Sequence, residues 1–307
     1  MRTYAVDRNI NYTNVCVSGC RFCAFYRPPG HPEAYVLGFD ELGAKIDEAV
    51  ALGATHILLQ GGLNPDLDIG SYERMLRFIR DEHPVGVHGF SPPEIVHVAR
   101  VSGLAIEEVV ERLAAAGLDS IPGGGAEILS DRPRLLASPH KCSADEWMAV
   151  MRAAHGLGLK TTATMMFGGL ETLEERVEHL ARIRDQQDET GGFVRFIPWT
   201  LQPGNTALEA AGLRPLGGFA YLVMLAVSRI FLDNVPSIQA SWVTQGPKIA
   251  QVALAMGADD LGSTMIEENV VSAAGTSFPA MPPEEMERLI TEAGFEPRRR
   301  DAAGDPA

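Results

Sequence analysis

Short apolar runs alternate with longer amphipathic segments eight times along the chain. One unit is the run at 55–60, which ends at Gly61 and Gly62 and precedes a segment with helical apolar spacing at 71–80. Alternation of this kind is typical of βαβ units, which build parallel sheets. Eight units in one series favour a closed barrel over an open sheet, and 307 residues accommodate the roughly 250 that such a barrel needs. The sequence therefore predicts an α/β fold, a (βα)8 TIM-type barrel.

The predicted strands are short and end at polar or glycine-rich loops. They cover residues 9–14, 55–60, 85–90, 118–121, 160–167, 193–200, 237–244 and 260–264. We expect helices between them and a barrel domain that spans residues 1–281 without an internal boundary. The remaining part, residues 282–307, is expected to hold a short helix at 282–293 and a polar tail from Arg298, whose composition predicts disorder.

Composition limits the partners that the chain can have. Twenty-six basic against forty acidic side chains give a net charge of −14, which opposes attraction to phosphate, so we expect no nucleic-acid partner. No apolar run approaches the roughly 18 residues that a membrane span needs. The four cysteines, three of them clustered, and the lack of a recognisable secretory signal fit a reducing compartment. We therefore expect a cytoplasmic protein without a membrane partner.

Three cysteines, Cys16, Cys20 and Cys23, lie within eight residues. Three thiolates can each bind one iron of a cubane cluster and leave the fourth iron open, as catalysis requires. A structural zinc site would need a fourth ligand, for which His31 and Cys142 are the candidates. A disulfide would leave one thiol of the three unpaired, and a pure electron carrier is usually built on four cysteines. The spacing therefore favours a cluster with an open iron.

Residues that follow barrel strands are candidates for the site, because active sites of such barrels lie at the carboxyl ends of the strands. Gly61 and Gly62 let the backbone approach a ligand closely, or form an ordinary turn. His88 could act as a general base near neutral pH, although a histidine alone is more often a packed residue. Other polar or aromatic residues near strand ends are candidate substrate contacts: Glu94, Thr164, Trp199, Gln202, Asn205, Ser241 and Glu267.

The cysteine spacing, with an aromatic residue before the third cysteine, resembles the signature of radical S-adenosylmethionine (SAM) enzymes. The resemblance implies a barrel of the radical SAM kind, a 4Fe–4S cluster on the three cysteines and SAM at the open iron. It further implies that the glycine pair binds the SAM amino group, that Glu127 binds the ribose and that Arg152 pairs with the carboxylate. The alternatives are a helix-start carboxylate for Glu127 and a solvated arginine. The candidate cofactor contacts are Phe22, Gln60, Gly61, Gly62, Glu127 and Arg152.

Longer sequence segments narrow the resemblance to one family within the radical SAM enzymes. Residues 9–14, 16–27, 88–95, 120–129, 187–193 and 197–200 are similar to the cyclic dehypoxanthinyl futalosine synthase family, which acts in the futalosine route to menaquinone. Two sister families, aminofutalosine synthase and the deazaflavin-forming radical SAM enzyme, share the phrase at 188–193. The residues at 199–200 and 202–205 look like the synthase.

The resemblance also implies a reaction. A 5′-deoxyadenosyl radical would take hydrogen from the ribose 4′ carbon of dehypoxanthine futalosine, and the new carbon radical would close on the benzoate ring. His88 or a neighbouring carboxylate would accept the proton that leaves, and the cluster would accept the electron. The implied partners are a small-molecule substrate and an electron donor such as a flavodoxin or ferredoxin.

Overall fold

The computed structural model describes residues 1–276, 278 and 280–304. Strands and helices alternate along most of the chain, which confirms the α/β fold. The strands are β1 Arg2–Ala5, β2 Asp7–Asn11, β3 His56–Gln60, β4 Gly86–Gly89, β5 Ser120–Ile121, β6 Lys160–Phe167, β7 Phe193–Thr200, β8 Ser237–Ile238, β9 Asp260–Ser263 and β10 Pro297–Arg299.

The longer helices lie between the barrel strands, on the outside of the sheet. No helix within the described residues is long and apolar enough to cross a membrane. The helices are α1 Phe39–Ala51, α2 Ile69–Glu82, α3 Pro92–Ser102, α4 Ile106–Ala116, α5 Asp131–Ala137, α6 Ala144–Gly156, α7 Leu173–Thr190, α8 Ala207–Ala210, α9 Gly218–Phe231, α10 Trp242–Gln245, α11 Pro247–Ala253, α12 Val270–Ala273 and α13 Pro283–Glu292.

Strands β2 to β8 form one parallel sheet in chain order. The predicted eighth strand, β9, lies instead in a second parallel sheet with β1 and β10, so its predicted place in a continuous barrel is corrected. It still joins both edges of the larger sheet. Ala240 N donates to Asp260 O (2.8 Å) on the β8 side, and Ile266 N donates to Asp7 O (3.2 Å) on the β2 side. The ring of strands is therefore closed at β9 by a few hydrogen bonds, without a full ladder.

The predicted seventh strand is shorter than expected. Strand β8 ends at Ile238, and the chain from Trp242 onward forms helix α10. Trp242 is buried there, and its indole Nε1 donates to Ser263 O (3.0 Å). Trp242 reaches the core from a helical turn, so its burial does not require an extended strand.

The C-terminal tail is ordered as far as it is described, which corrects the prediction of disorder from Arg298. Strand β10 pairs in parallel with β1, and Arg300 beyond it is only 4% exposed. The sequence predicts neither β1 nor β10, because both are short and mostly polar and lack an apolar alternation. The tail therefore packs on the barrel, while the proposed division at residue 281 stays a prediction.

Alternate side chains of the barrel strands face two different environments. In β2, Ile10 is fully buried under the helices, whereas Asp7, Asn9 and Asn11 line the lumen. Barrels of this class usually fill the lumen with branched apolar residues. Here many lumen positions are polar: Asp7, Asn9, Asn11, His56, Gln60, His88, Thr162, Thr164, Arg195, Gln239 and Ser263. The fold therefore encloses a polar chamber in place of a packed core.

Candidate cofactor and substrate site

A cavity of about 410 Å³ runs from the rim, at the carboxyl ends of the strands, down into the lumen. The cysteine loop forms part of its upper wall, and Arg195 and Ala302 lie at its lower end. The predicted site residues that line it are Cys16, Cys20, Phe22, Cys23, Gln60, Gly61, Gly62, His88, Glu94, Glu127, Thr164 and Trp199. Folding therefore brings these residues, which are distant in sequence, to one chamber.

The three cysteines lie in the loop after β2, and none of them forms a disulfide. Ser18 links two of them, since its Oγ lies 3.3 Å from Cys16 Sγ and 3.0 Å from Cys20 Sγ. Cys23 N donates to Cys20 O (3.2 Å), which turns the loop back on itself. Burial raises the pKa of the Cys23 thiol. The loop therefore presents three unpaired sulfur donors to the cavity.

This donor set fits a cubane cluster, which takes one thiolate on each of three irons and leaves the fourth open. Among the described residues, no three His, Cys, Asp or Glu side chains are arranged to hold a single metal ion. A cluster needs no such convergence, because its cysteines bind different irons. The three cysteines would hold the cluster, as the spacing predicts.

Gly61 and Gly62 bring the end of β3 against the cysteine loop. A Cβ atom at Gly62 would lie 2.2 Å from Val15 O, and one at Gly61 would lie 2.6 Å from the Tyr12 ring. Gly62 N also donates to Thr13 O (3.0 Å). Close packing therefore requires both glycines, and the strand end and the loop form one continuous wall.

Glu94 stabilises this wall and has no acceptor position left for a substrate. Its Oε1 accepts hydrogen bonds from Gly61 N (2.9 Å) and the Tyr12 hydroxyl (2.7 Å). Its Oε2 accepts from Ser91 N (2.7 Å) and Ser91 Oγ (2.5 Å) at the start of α3. Burial raises the pKa of Glu94 to about 7, although these hydrogen bonds oppose the rise. The predicted substrate contact is therefore corrected: Glu94 positions the rim.

Glu127 and Lys141 form a charged pair at the rim beside the cysteine loop. Lys141 Nζ lies 3.0 Å from Glu127 Oε1 and 5.1 Å from the centre of the Phe22 ring. Arg134 Nη1 lies 3.7 Å from Glu127 Oε2. Burial favours the neutral amine, but the negative charges of Cys20 and Glu127 outweigh it and raise the pKa of Lys141. The Lys141 side chain is 10% exposed and therefore presents a charged ammonium next to the cysteine loop.

The sequence does not predict Lys141 or Arg134 as site residues. Lys141 comes 20 residues after the end of β5 at Ile121, in the loop between α5 and α6, and carries no motif. The local sequence signal is a lysine immediately before the isolated Cys142, and this pattern is too common to predict a site residue. The approach of this loop to Phe22 is a tertiary contact.

His88 lies in the middle of the lumen on β4. Its Nδ1 shares a hydrogen bond with Ser120 Oγ (2.7 Å). Burial, together with the nearby charge of His56, lowers the pKa of His88 to about 3. The imidazole is therefore neutral near pH 7, the form that can accept a proton, but it is a weak base.

Arg152 and Glu267 do not reach the cavity, which corrects both predictions. Arg152 lies on the outer face of α6, where its Nε and Nη2 donate to the Glu189 carboxylate at 2.8 Å each. Glu267 pairs with Arg8 (2.8 Å) and Lys45 (2.9 Å) on the outward side of β2. Both side chains already have oppositely charged partners outside the lumen.

Three other predicted substrate contacts also lie outside the cavity wall. Gln202 Nε2 donates to Thr200 Oγ1 (3.0 Å), and the Asn205 amide nitrogen donates to Ala273 O (3.0 Å). Ser241 Oγ lies 2.8 Å from a hydroxyl oxygen in α10. These side chains stabilise loops after β7 and β8, so proximity to a strand end alone did not place them in the site.

Two protein-family models cover most of the chain. The radical SAM superfamily matches residues 10–183, and the CofH/MqnC C-terminal region matches residues 190–305. Among solved structures, the chain is similar to methylornithine synthase PylB, with a TM-score of 0.72 and 16% identity over 97% of this chain and 84% of that one. It is also similar to the maturase HydG from Carboxydothermus hydrogenoformans, with a TM-score of 0.74 and 15% identity over 98% and 68%. These likenesses support the fold.

Named relatives are far more similar in sequence. Cyclic dehypoxanthine futalosine synthase from Halalkalibacterium halodurans is 48% identical over 97% of this chain and 80% of its own length. The synthase of the same name from Streptomyces coelicolor is 47% identical over 97% and 74%. The 5-amino-6-(D-ribitylamino)uracil–L-tyrosine 4-hydroxyphenyl transferase from Archaeoglobus fulgidus is 44% identical over 97% and 87%. The chain therefore belongs to the radical SAM superfamily, in the group that carries the CofH/MqnC C-terminal region.

Proposed function

We propose that this radical SAM enzyme converts dehypoxanthine futalosine to its cyclic form in menaquinone biosynthesis. The observation that carries the proposal is 48% and 47% identity to two synthases of that name over 97% of the chain. The polar lumen beneath the cysteine loop supports it, because a ribose-bearing substrate needs many hydrogen-bonding partners. We place the reaction in the cytoplasm, where thiols stay reduced.

The family cofactors, a 4Fe–4S cluster and SAM, fit the rim. Cys16, Cys20 and Cys23 would hold the cluster, and the bound cofactors would supply the radical chemistry that removes hydrogen from the substrate. Glu127 would accept hydrogen bonds from the SAM ribose. Lys141, in place of Arg152, would pair with the SAM carboxylate, because its ammonium lies beside the cysteine loop and lines the cavity.

His88 is the proposed proton acceptor for the step in which the ring regains its aromatic state. It lines the lumen, and its lowered pKa keeps the ring neutral at neutral pH. The Ser120 hydroxyl holds its Nδ1 and fixes the orientation of the ring. Removing the imidazole with His88→Asn is expected to slow turnover without loss of cluster binding.

The electron donor is proposed to dock on the outer side of the cysteine loop. A surface groove there includes Cys20 and Cys23 together with Arg21 and Arg27. Glu33, which also lines the groove, pairs with Arg27 (2.6 Å), so Arg21 is the basic side chain that would face an acidic carrier such as a flavodoxin or ferredoxin.

The test is a product assay. The anaerobically reconstituted enzyme is incubated with SAM, a reductant and dehypoxanthine futalosine, and we expect 5′-deoxyadenosine and a product two hydrogens lighter than the substrate. A parallel reaction with 5-amino-6-(D-ribitylamino)uracil and L-tyrosine tests the second candidate, the transferase activity named for the relative at 44% identity. Turnover in that reaction alone would replace the synthase proposal.

A further inference from the structure

The lower end of the lumen carries two arginines that the predicted site does not include. Arg195 comes from β7, and Arg300 comes from the ordered tail after β10. Both side chains are buried and line the cavity, and both approach the carboxylate of Asp260. Arg300 Nη2 donates to Asp260 Oδ1 (2.9 Å), whereas Arg195 Nε lies 3.6 Å from Asp260 Oδ2. We call Arg195, Arg300 and Asp260 the floor of the lumen.

Within the floor, the positive charge and the hydrogen-bond donors of Arg195 are only partly balanced. Arg300 takes the hydrogen bonds to Asp260, and within the described residues Arg195 Nε is buried without a hydrogen-bond partner. Burial and the positive charge of Arg300 lower the pKa of Arg195 to about 10, while the carboxylates of Asp260, Asp259 and Asp301 act in the other direction. The guanidinium is thus balanced only by a 3.6 Å approach to Asp260 and by more distant carboxylates, and an anion that contacts it from the lumen would add to that balance.

The walls above the floor suit a flat apolar ring. Leu58 of β3 and Ile197 of β7 both line the cavity above the floor, and both are partly exposed to it. Asn9 Oδ1, on the neighbouring β2, is buried with no hydrogen-bond partner among the described residues. Two apolar side chains, Leu58 and Ile197, therefore lie between the floor and the rim, next to the polar Asn9 and His88 on the strands that flank β3.

The depth of the lumen matches a substrate that reaches from the floor to the rim. Strand β3 runs from His56 at the floor level to Gln60 at the rim, and four residues of strand rise about 13 Å. A molecule with a carboxylated ring at one end and a ribose at the other can reach from the floor towards the cysteine loop over such a distance.

We propose that Arg195 and Arg300 bind the carboxylate of the substrate, with its aromatic ring between Leu58 and Ile197. The inference rests on the proposed function, which supplies a substrate that carries a benzoate group. It assigns the tail a direct role, because Arg300 reaches the lumen only through the pairing of β10 with β1. The orientation places the ribose end nearest the cysteine loop.

The experiment measures binding of dehypoxanthine futalosine and of its carboxamide analogue to the reconstituted enzyme by titration calorimetry. We expect the native enzyme to bind the carboxylate about 10- to 100-fold more tightly than the amide, as charged hydrogen bonds imply. Arg195→Gln is expected to abolish that preference, and Arg195→Lys to retain part of it. Arg152→Gln, which removes an exposed arginine of the outer surface, is the matched control and should keep the full preference.

Equal affinity of the native enzyme for acid and amide would overturn the proposal, even if the variants fail to fold. A folded Arg195→Gln enzyme that keeps the preference would overturn it as well and leave the floor a purely structural cluster. Folding is checked by circular dichroism and by iron content. If the native enzyme neither binds nor turns over dehypoxanthine futalosine, the proposed function fails; if it turns the substrate over without the expected preference, only the floor assignment fails.

Discussion

The rim and the floor of the lumen are both polar, yet they are assembled in different ways. At the rim, the polar groups are packed tightly and have hydrogen-bond partners: the cysteine loop lies against Gly62, and the Glu94 carboxylate accepts four hydrogen bonds. At the floor, Thr3, Arg195 and Arg300 converge on Asp260 of β9 from three separate parts of the chain: β1, β7 and the tail after β10. The rim is therefore a preorganised frame, while among the described residues the floor leaves Arg195 Nε without a hydrogen bond.

This difference shows what each region can tolerate. A rim whose polar groups are satisfied loses its geometry when one member is removed, because the partners are then left unpaired in a buried place. A floor built on a buried charge network loses stability first, since an unbalanced charge remains inside the protein. Changes at the two ends should therefore separate cofactor binding from folding.

The largest effect is expected from Cys20→Ala at the rim. Removing one of three sulfur donors should abolish iron binding and activity, because two thiolates cannot hold the cluster. Iron analysis and visible absorption after reconstitution measure this. Cys142→Ala is the control: the Cys142 side chain is 3% exposed, lies beside Arg134 and does not line the cavity, so this variant should keep its iron. Equal iron loss in both variants would contradict the assignment.

At the floor, Arg300→Met should lower the free energy of unfolding by about 3–5 kcal/mol, because the fully buried Asp260 loses its close charged partner and keeps only Arg195 Nε, at 3.6 Å, to balance its charge. Urea unfolding measures the change. Arg152→Met removes an exposed ion pair and should cost less than about 1 kcal/mol. If Arg300→Met unfolds no more easily than Arg152→Met, the tail does not anchor the floor.

A smaller effect is expected from Lys141→Met at the rim. Loss of the ammonium should weaken SAM binding about tenfold, since one charge-assisted contact is removed. Equilibrium dialysis with SAM on the reconstituted enzyme measures the dissociation constant. Arg152→Met should bind SAM as the native enzyme does. Weaker SAM binding by Arg152→Met, with unchanged binding by Lys141→Met, would instead assign the carboxylate contact to Arg152.

The smallest effect concerns the pH dependence of stability. The folded-state pKa of Glu94 is raised from 4.5 to about 7, so the folded protein holds a proton that the unfolded chain releases between these values. Glu94 therefore makes the free energy of unfolding fall as pH rises through this window, by about 1 kcal/mol between pH 6 and pH 7. Glu94→Gln should remove that contribution.

The measurement for Glu94 compares unfolding of the native enzyme and of Glu94→Gln in urea at both pH values. Other carboxylates contribute in both proteins and cancel in the difference. If the free energies of unfolding of the two proteins depend on pH in the same way, burial does not raise the pKa of Glu94.

Local patterns predicted the parts of this protein in which adjacent residues act together. The spacing of Cys16, Cys20 and Cys23 indicates three sulfur donors on one loop wherever the loop lies, and an apolar run followed by glycines indicates a strand and its end. The alternation of strands and helices then places that loop at the rim, because parallel strands of a barrel share one carboxyl edge. These conclusions need no knowledge of distant contacts.

Only the tertiary structure decided which charged residues face the lumen. The family resemblance implies Arg152 as a site residue, but its side chain lies on the outer face of α6 and pairs with Glu189, whereas Lys141, from a loop without a motif, reaches Phe22. Arg300 lies in a polar tail whose composition predicts disorder. It is buried because β10 pairs with β1, at the opposite end of the chain. The amino-acid sequence thus determined the cofactor loop and the barrel, whereas long-range pairing determined the floor, because burial of a charge depends on partners that are far away in sequence.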